Sequence, residues 1–350
     1  MFVVKINMSL TELSYYFRKF LPYFVLFCLI FLIFFYSIKL TLIYLEQNKT
    51  ITIYTNPIFG KVSLPEIPKS SPSAGLKFTL DTIEGAPVTA TDTAKVFFLP
   101  QSNPRFGYSE KIYLIAKSFG FNTEIVKHQL VDKTATFTDE EKTLAIDISN
   151  FNFKFDRKVD NGLFSSPQLT IPTKTVIENK AVDFLKKIGR YPDELGKGTT
   201  NVIYLKYNPI NKNFVNVEKS SQAQLVEVDF YRPNIDDFSI VTPKYFNSQN
   251  YVVMLFQGTD FQIIKSQIAF FEKSEEQVGT YRLKTGEEAW SELNNGMGFA
   301  VAGTQGQKNI LIKSMKLGYF DPDIYQNYLQ PVYVFLGEGD FVGYVPAVKN

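Results

Sequence analysis

"GTYRLKTGEEAWSELNNG", residues 279–296, decides how the body of this chain is read. Its first half alternates around Tyr281 and Leu283, as a strand does. Thr285 then offers a hydroxyl as N-cap, and Glu288 three residues later completes a capping box. Ala289, Trp290 and Leu293 fall on one helical face, and Gly296 supplies a stop. "NILIKSMKLGYF" (309–320), "LQPVYVFLG" (329–337) and "DFVGYVPAV" (340–348) follow as strands. The unit is a helix followed by a run of antiparallel strands.

The same rhythm recurs upstream. "SEKIYLIAKSFGF" (109–121) places Ile112, Ile115, Ala116 and Phe119 at helical spacing, with Ser109 as N-cap and Gly120 as stop. Strands are expected over 123–132, over 134–149 with a turn at Asp139–Lys142, and over 151–155. "IENKAVDFLKKIG" (177–189) puts Ala181, Val182, Leu185 and Ile188 on one face, and strands at 201–209 and 223–233 follow it. Residues 251–284 form a long antiparallel stretch that turns at "QGTD". Helices do not alternate with single strands, so the fold class is α+β, with about three helix-plus-antiparallel-sheet modules behind an N-terminal transmembrane helix.

That N-terminal stretch is "LPYFVLFCLIFLIFFYSI" (21–38), eighteen residues without a charge, extended in apolar character to Leu45. As a helix it spans about 27 Å, close to the hydrocarbon thickness of a bilayer. Tyrosines 15, 16, 23, 36 and 44 lie near its two ends. No small-residue cleavage site follows, which favours an uncleaved anchor over a signal peptide. Lys5, Arg18 and Lys19 on one side nearly balance Lys39, Lys49 and Lys61 on the other, so orientation rests on the short leading tail and the long body. The expected layout is a cytoplasmic tail (1–20), an anchor (21–45), a Pro/Ser-rich linker (46–75), a first α+β module (76–165) and C-terminal α+β modules (166–350), with the body extracytoplasmic.

Composition narrows the function classes. The net charge of +2 among 350 residues gives no case for a nucleic-acid partner. The lone cysteine, Cys28, sits in the apolar run, so the body has no disulfide framework, Cys metal site or Cys nucleophile. His128 is the single histidine and reads as a structural residue on a strand; no Ser sits in a G-x-S-x-G elbow. Carboxylates cluster at Asp139–Glu141, Asp236–Asp237, Glu275–Glu276 and Asp321/Asp323, each at an expected turn, where acids are solvated. "FDPDIYQN" lacks the spacing and Gly of a calcium loop. "DELGKGTTN" (193–201) leads into a strand rather than a helix, so it is a turn and not a phosphate loop. Gly337-Glu338-Gly339-Asp340 reads as the tight turn of the last hairpin, with Gly343 at a bulge or close approach in the returning strand. No catalytic, cofactor-binding or metal-ligating residue is assigned.

The C-terminal 70 residues or so resemble the end of extracytoplasmic regulatory proteins of the YycH/YycI type. The residues that carry this are Ala289 and Leu293 in the helix, Met315, Leu317 and Tyr319 in the next strand, and Pro331, Val332 and Tyr333 in the closing pair. The pattern's valine is Met315 here, and residues before 165 do not match it. The resemblance implies a single-pass anchor, a non-catalytic outer body without cofactor, and regulation of a membrane histidine kinase or other envelope protein. Two other classes stay open: an envelope glycan hydrolase using a carboxylate pair, and a structural component of an envelope assembly. Two carboxylates from different strands meeting in a cleft would mark the hydrolase.

Overall fold

The computed structural model describes residues 10–47, 54–67, 71–104, 106–159, 161–164, 170–258, 260–303 and 308–349. The chain divides into two units, Met1–Ile53 and Tyr54–Asn350. The described residues of the first form one helix, α1 (Leu10–Gln47), in which the 31 residues Ser14–Tyr44 are long and apolar enough to cross a membrane. At 1.5 Å per residue they reach about 46 Å, enough for the hydrocarbon core and both interfaces.

The second unit is α+β. Its strands and helices run β1 (Ser71–Pro72), β2 (Lys77–Leu80), β3 (Thr93–Phe98), α2 (Tyr108–Ser118), β4 (Gln129–Val131), β5 (Thr134–Thr138), β6 (Lys142–Asp147), β7 (Phe153–Arg157), α3 (Lys174–Lys187) and α4 (Asp193–Gly196). They continue through β8 (Thr199–Asn208), β9 (Asn213–Asn216), β10 (Leu225–Tyr231), β11 (Ser239–Val241), β12 (Tyr251–Gln257), β13 (Asp260–Ile268) and β14 (Val278–Arg282). The C-terminal part is α5 (Gly286–Asn294), β15 (Phe299–Ala302), β16 (Asn309–Phe320), β17 (Tyr328–Gly337) and β18 (Phe341–Pro346).

These strands build two nine-stranded sheets. One runs β4-β5-β6-β7-β13-β12-β10-β8-β9 and is antiparallel throughout. The other follows β1-β15-β18-β17-β16-β11, with β2 on β16 and β3 bridging β14 and β17; only β2 and β11 run parallel to their partner. The three helix-then-strand modules therefore merge into two sheets. The division read at 165/166 does not follow them: β2 and β3 join the C-terminal sheet, while β7 pairs with β13 across more than a hundred residues.

Periodicity explains the faces. Ile112, Ile115, Ala116 and Phe119 of the α2 segment, with Ile177, Ala181, Leu185 and Ile188 of the α3 segment, are buried in one cluster with Phe137, Phe155, Val228 and Val252 of the first sheet. Ala289 and Leu293 of α5 pack with Tyr333 and Phe335 of β17, while the alternate residues Val332 and Val334 belong to a cluster on the opposite face. The capping box at Thr285 and Glu288 is formed. Gly337 pairs with Phe341 across the closing hairpin, whose tip places Gly339 and Asp340 at φ 67° and 56°.

Four expectations change. The N-cap residue of α2 is Gly107 at φ 80°, not Ser109, because the helix begins two residues earlier than a Ser109 cap would place it, at Tyr108. The strand over 123–132 shrinks to Gln129–Val131, since Asn122 accepts the amides of Ile125 and Val126 and turns the chain there. Of the stretch read as a linker, residues 54–67 and 71–75 lie on the body, the latter through β1 on β15 and the buried Ser73. Asn56 pairs with Thr280, Phe59 stacks on Tyr281, and Val62 and Ile67 are buried. Proline bars helix there, but an extended chain can still lay apolar side chains on a sheet; residues 46–47 end α1, and 48–53 and 68–70 lie outside the described residues. The fourth change concerns Asp321, and it opens the site.

Candidate functional site

Asp321 follows β16 directly and is 1% exposed, not solvated at a turn. Across from it, Arg232 extends β10 and is also buried. The Arg232 Nε donates to Asp321 Oδ1 at 2.7 Å, and Nη1 to Glu194 Oε2 of α4 at 2.9 Å. Its Nη2 donates to the Phe271 carbonyl, and the guanidinium lies 3.7 Å from the Phe270 ring centre. Gln249 Nε2 occupies the other Asp321 oxygen at 2.7 Å. Burial pushes the Asp321 carboxyl above its ordinary value, and Arg232 pulls against that. One carboxylate of the C-terminal sheet is thus clasped by an arginine and a glutamine of the other. Arginine suits the task because its planar fork reaches three acceptors and a ring at once.

Beside this clasp lies a cavity of about 490 Å³, walled in part by Lys111, Lys133, Asp147, Ser149, Arg190 and Lys273. A second cavity of about 590 Å³ shares Pro192, Asp193, Phe270, Glu272 and Lys273 with it. Arg190 sits just past the Gly189 stop of the α3 segment, where the chain reverses at φ 67°. Its Nη2 donates to Asn152 Oδ1 at 2.6 Å and to the Phe270 carbonyl at 2.8 Å, and Nη1 lies 3.8 Å from Glu272. Burial lowers its pKa to about 10, with Glu272 opposing and Arg232 adding to the shift. Its Nε and the Ser149 Oγ are buried with no hydrogen-bond partner among the described residues.

A third group of charges lies on β10. Glu227 and Asp229 stand two residues apart and so share a face, opposite Val226, Val228 and Phe230. Asp229 Oδ2 accepts from the Ser248 amide at 3.0 Å and from the Tyr231 hydroxyl at 3.1 Å. Burial, then the Glu227 carboxylate, push Asp229 up to about 7; burial also raises Glu227, with Asp229, Lys244, Asn247 and Lys265 opposing. Neither carboxylate belongs to the wall of a cavity described above.

The residues singled out from sequence are scattered. Asp139 Oδ1 takes the Glu141 and Lys142 amides and shapes its turn, while Glu141 pairs with Arg157. Asp236 and Asp237 adopt φ 46° and 68°, and Asp236 pairs with Lys95 at 2.8 Å. Glu275 pairs with Lys273. His128 is half-buried, with Nδ1 3.3 Å from the Tyr113 hydroxyl and its ring against Phe137. In "DELGKGTTN" Gly198 carries a steric requirement, since a Cβ there would lie 1.8 Å from the Tyr231 carbonyl oxygen. Among the described residues no group of three His, Cys, Asp or Glu could hold a metal ion.

Sequence reasoning passed over Arg190, Arg232, Glu227 and Asp229. In "LVEVDFYRP" the two acids alternate with valine and phenylalanine, which is also the pattern of a solvent-facing strand edge. No local signal separates the two cases.

No family model and no curated protein matches this chain. Among solved structures, an uncharacterized protein from Eubacterium rectale is similar at 13% identity over 74% of this chain and 81% of its own, with a TM-score of 0.31, too low to support an argument about fold or role.

Proposed function

We propose that this chain is a membrane-anchored, extracytoplasmic regulatory protein that acts by binding rather than by catalysis, its partner being a membrane sensor histidine kinase or another envelope protein. One observation carries the reading: a 31-residue apolar span stands ahead of a separate two-sheet body. Such a layout holds a binding surface at a membrane and leaves the span free to meet a neighbouring helix. The alternative of a glycan hydrolase needs a carboxylic acid that stays protonated and reaches its substrate. The two aspartates that burial raises most clearly, Asp229 and Asp321, are both fully buried and bonded to internal donors, which favours the binding reading.

Crosslinking of intact membranes followed by mass spectrometry tests the partner, and protease shaving of intact cells tests the orientation. The reading expects a membrane protein joined to the body or the span, and a body cut from outside. Recovery of no membrane protein, or a body cut only after lysis, overturns it.

A further inference from the structure

We propose that α1 pairs with α1 of a second copy of this chain inside the membrane, as a parallel, left-handed pair held by a seam of phenylalanines. The helix carries seven phenylalanines, and six of them, Phe17, Phe20, Phe24, Phe27, Phe31 and Phe34, recur at alternate steps of three and four. Those are the a and d positions of a heptad, unbroken from 17 to 34. The seam is about 26 Å long, close to the thickness of the hydrocarbon core. Its rings are 59–67% exposed, and none of them has a ring partner among the described residues. The rings that do pair inside the helix, Tyr15 with Tyr16 and Phe35 with Tyr36, lie off the seam.

The period and the charges select a second copy. Acyl chains wet any apolar face, and leucine, isoleucine and valine cover the other sides of this span, so lipid contact asks for no period. A repeat of 3.5 residues keeps one line facing a partner where two helices wind left-handedly around each other. In a parallel pair in register, each a or d layer sets a residue against its own copy, so a seam of one residue type meets its like at every level. Rings then reach rings, offset or edge-on, a contact that persists where burial from water has no part. The span Ser14–Tyr44 carries Arg18, Lys19 and Lys39 and no acid, so two copies repel wherever these residues meet. All three fall at b or c, away from the seam and from the e and g positions that flank it. Pro22, which interrupts the helical hydrogen-bond ladder, falls at f on the outer side. The span has no glycine or alanine, so it does not pack by close approach of small residues.

The pairing rests on α1 crossing a membrane, as in the reading above, and not on the orientation of the body or on another partner. The test is cysteine crosslinking of the full chain in membranes, with two versions carrying different epitope tags made in the same cells. Cys28→Ser removes the native thiol, single cysteines replace residues 20–34 one at a time, and copper phenanthroline oxidises them. The expected product has the mass of two chains and carries both tags. Its yield should peak at 20, 24, 27, 31 and 34 and fall to background at 22, 25, 29 and 33. Förster transfer between labelled copies in liposomes supplies a second measurement. Phe24→Ala/Phe31→Ala should raise the apparent dissociation constant at least about tenfold. Leu26→Ala/Leu29→Ala, which trims apolar surface off the seam, should leave it unchanged. Carbonate extraction keeps the two readings apart: a chain released from the membrane by alkali overturns the anchor and the pairing together. A chain that stays in the membrane overturns the pairing alone if it gives no two-tag product, a yield without the a/d period, equal dissociation constants in the two variants, or a product that joins it to a different protein in place of its copy.

Discussion

The Glu227–Asp229 pair makes stability depend on pH in a direction opposite to that of an ordinary ion-paired acid. Asp229 rises from its ordinary 3.8 to about 7 in the folded chain. Between those values the native state holds a proton that the unfolded chain has released, so stability is full below about pH 4 and falls as pH climbs towards 7. A shift of about three units corresponds to at most about 4 kcal/mol, at about 1.4 kcal/mol per unit. Glu227, raised as well, shares the proton, and Lys244 and Lys265 face the pair and offset part of the cost. Tyr231 and Tyr251, both raised by burial first, stay neutral throughout this window.

Asp229→Asn removes the titration while keeping the shape. The amide oxygen can still accept from Ser248 and Tyr231, and the amide NH₂ can donate to Glu227. Urea unfolding of the full chain in detergent is followed by fluorescence of Trp290, the single tryptophan, and by circular dichroism. Between pH 5 and 8 the variant should lose at least about 2 kcal/mol less than the native protein, and at pH 8 it should be the more stable by about 1–3 kcal/mol. Parallel pH profiles, or a variant less stable than the native protein at pH 8, would refute the claim that the pair shares a buried proton.

Further outcomes follow from the clasp, a cap and a glycine. Asp321→Ala leaves the buried Arg232 with Glu194 as its remaining carboxylate and its Nε unpaired, and should cost about 3 kcal/mol in urea unfolding; the double variant Arg232→Met/Asp321→Leu should recover part of that loss. Thr285→Ala removes the hydroxyl that accepts the Glu288 amide and should lower stability by about 1 kcal/mol, read as a small drop in unfolding midpoint. Gly198→Ala drives a Cβ towards the Tyr231 carbonyl oxygen, so backbone must shift at the β8–β10 pairing and the cost should reach about 2–3 kcal/mol.

Local features of the fold were legible because local physics sets them. The Thr285 box, the glycine turn at 337–340 and the apolar stripes of α2 and α3 each need only a few neighbouring residues to specify them. Sheet membership was not, because it is decided by partners far along the chain. β3 finds β14 and β17 about two hundred residues later, and nothing within "TAKVFF" says so. The segment at 54–67 failed for a related reason. Its prolines and serines have the composition of a linker, while Phe59, Val62 and Ile67 supply apolar contacts visible only beside the sheet that receives them.

The site was hidden by the same non-locality, now acting on charge. Arg190 follows a helix stop, Arg232 ends a strand before Pro233, and Asp321 opens a "DPD" turn; at such places a charge normally faces water. Each is buried because its partner arrives from another element. The segment 270–274 shows how tightly these meetings are coupled. It leaves one sheet after β13 and reaches the other at β3, where the Ser274 amide donates to the Phe98 carbonyl at 2.8 Å. On the way, Arg190 takes the carbonyl of Phe270 and Arg232 that of Phe271, while Phe270 lends its ring to Arg232. The next two residues, Glu272 and Lys273, belong to the walls of both cavities. Two buried arginines therefore fix the position of a strap that crosses between the sheets and carries part of the wall of each cavity.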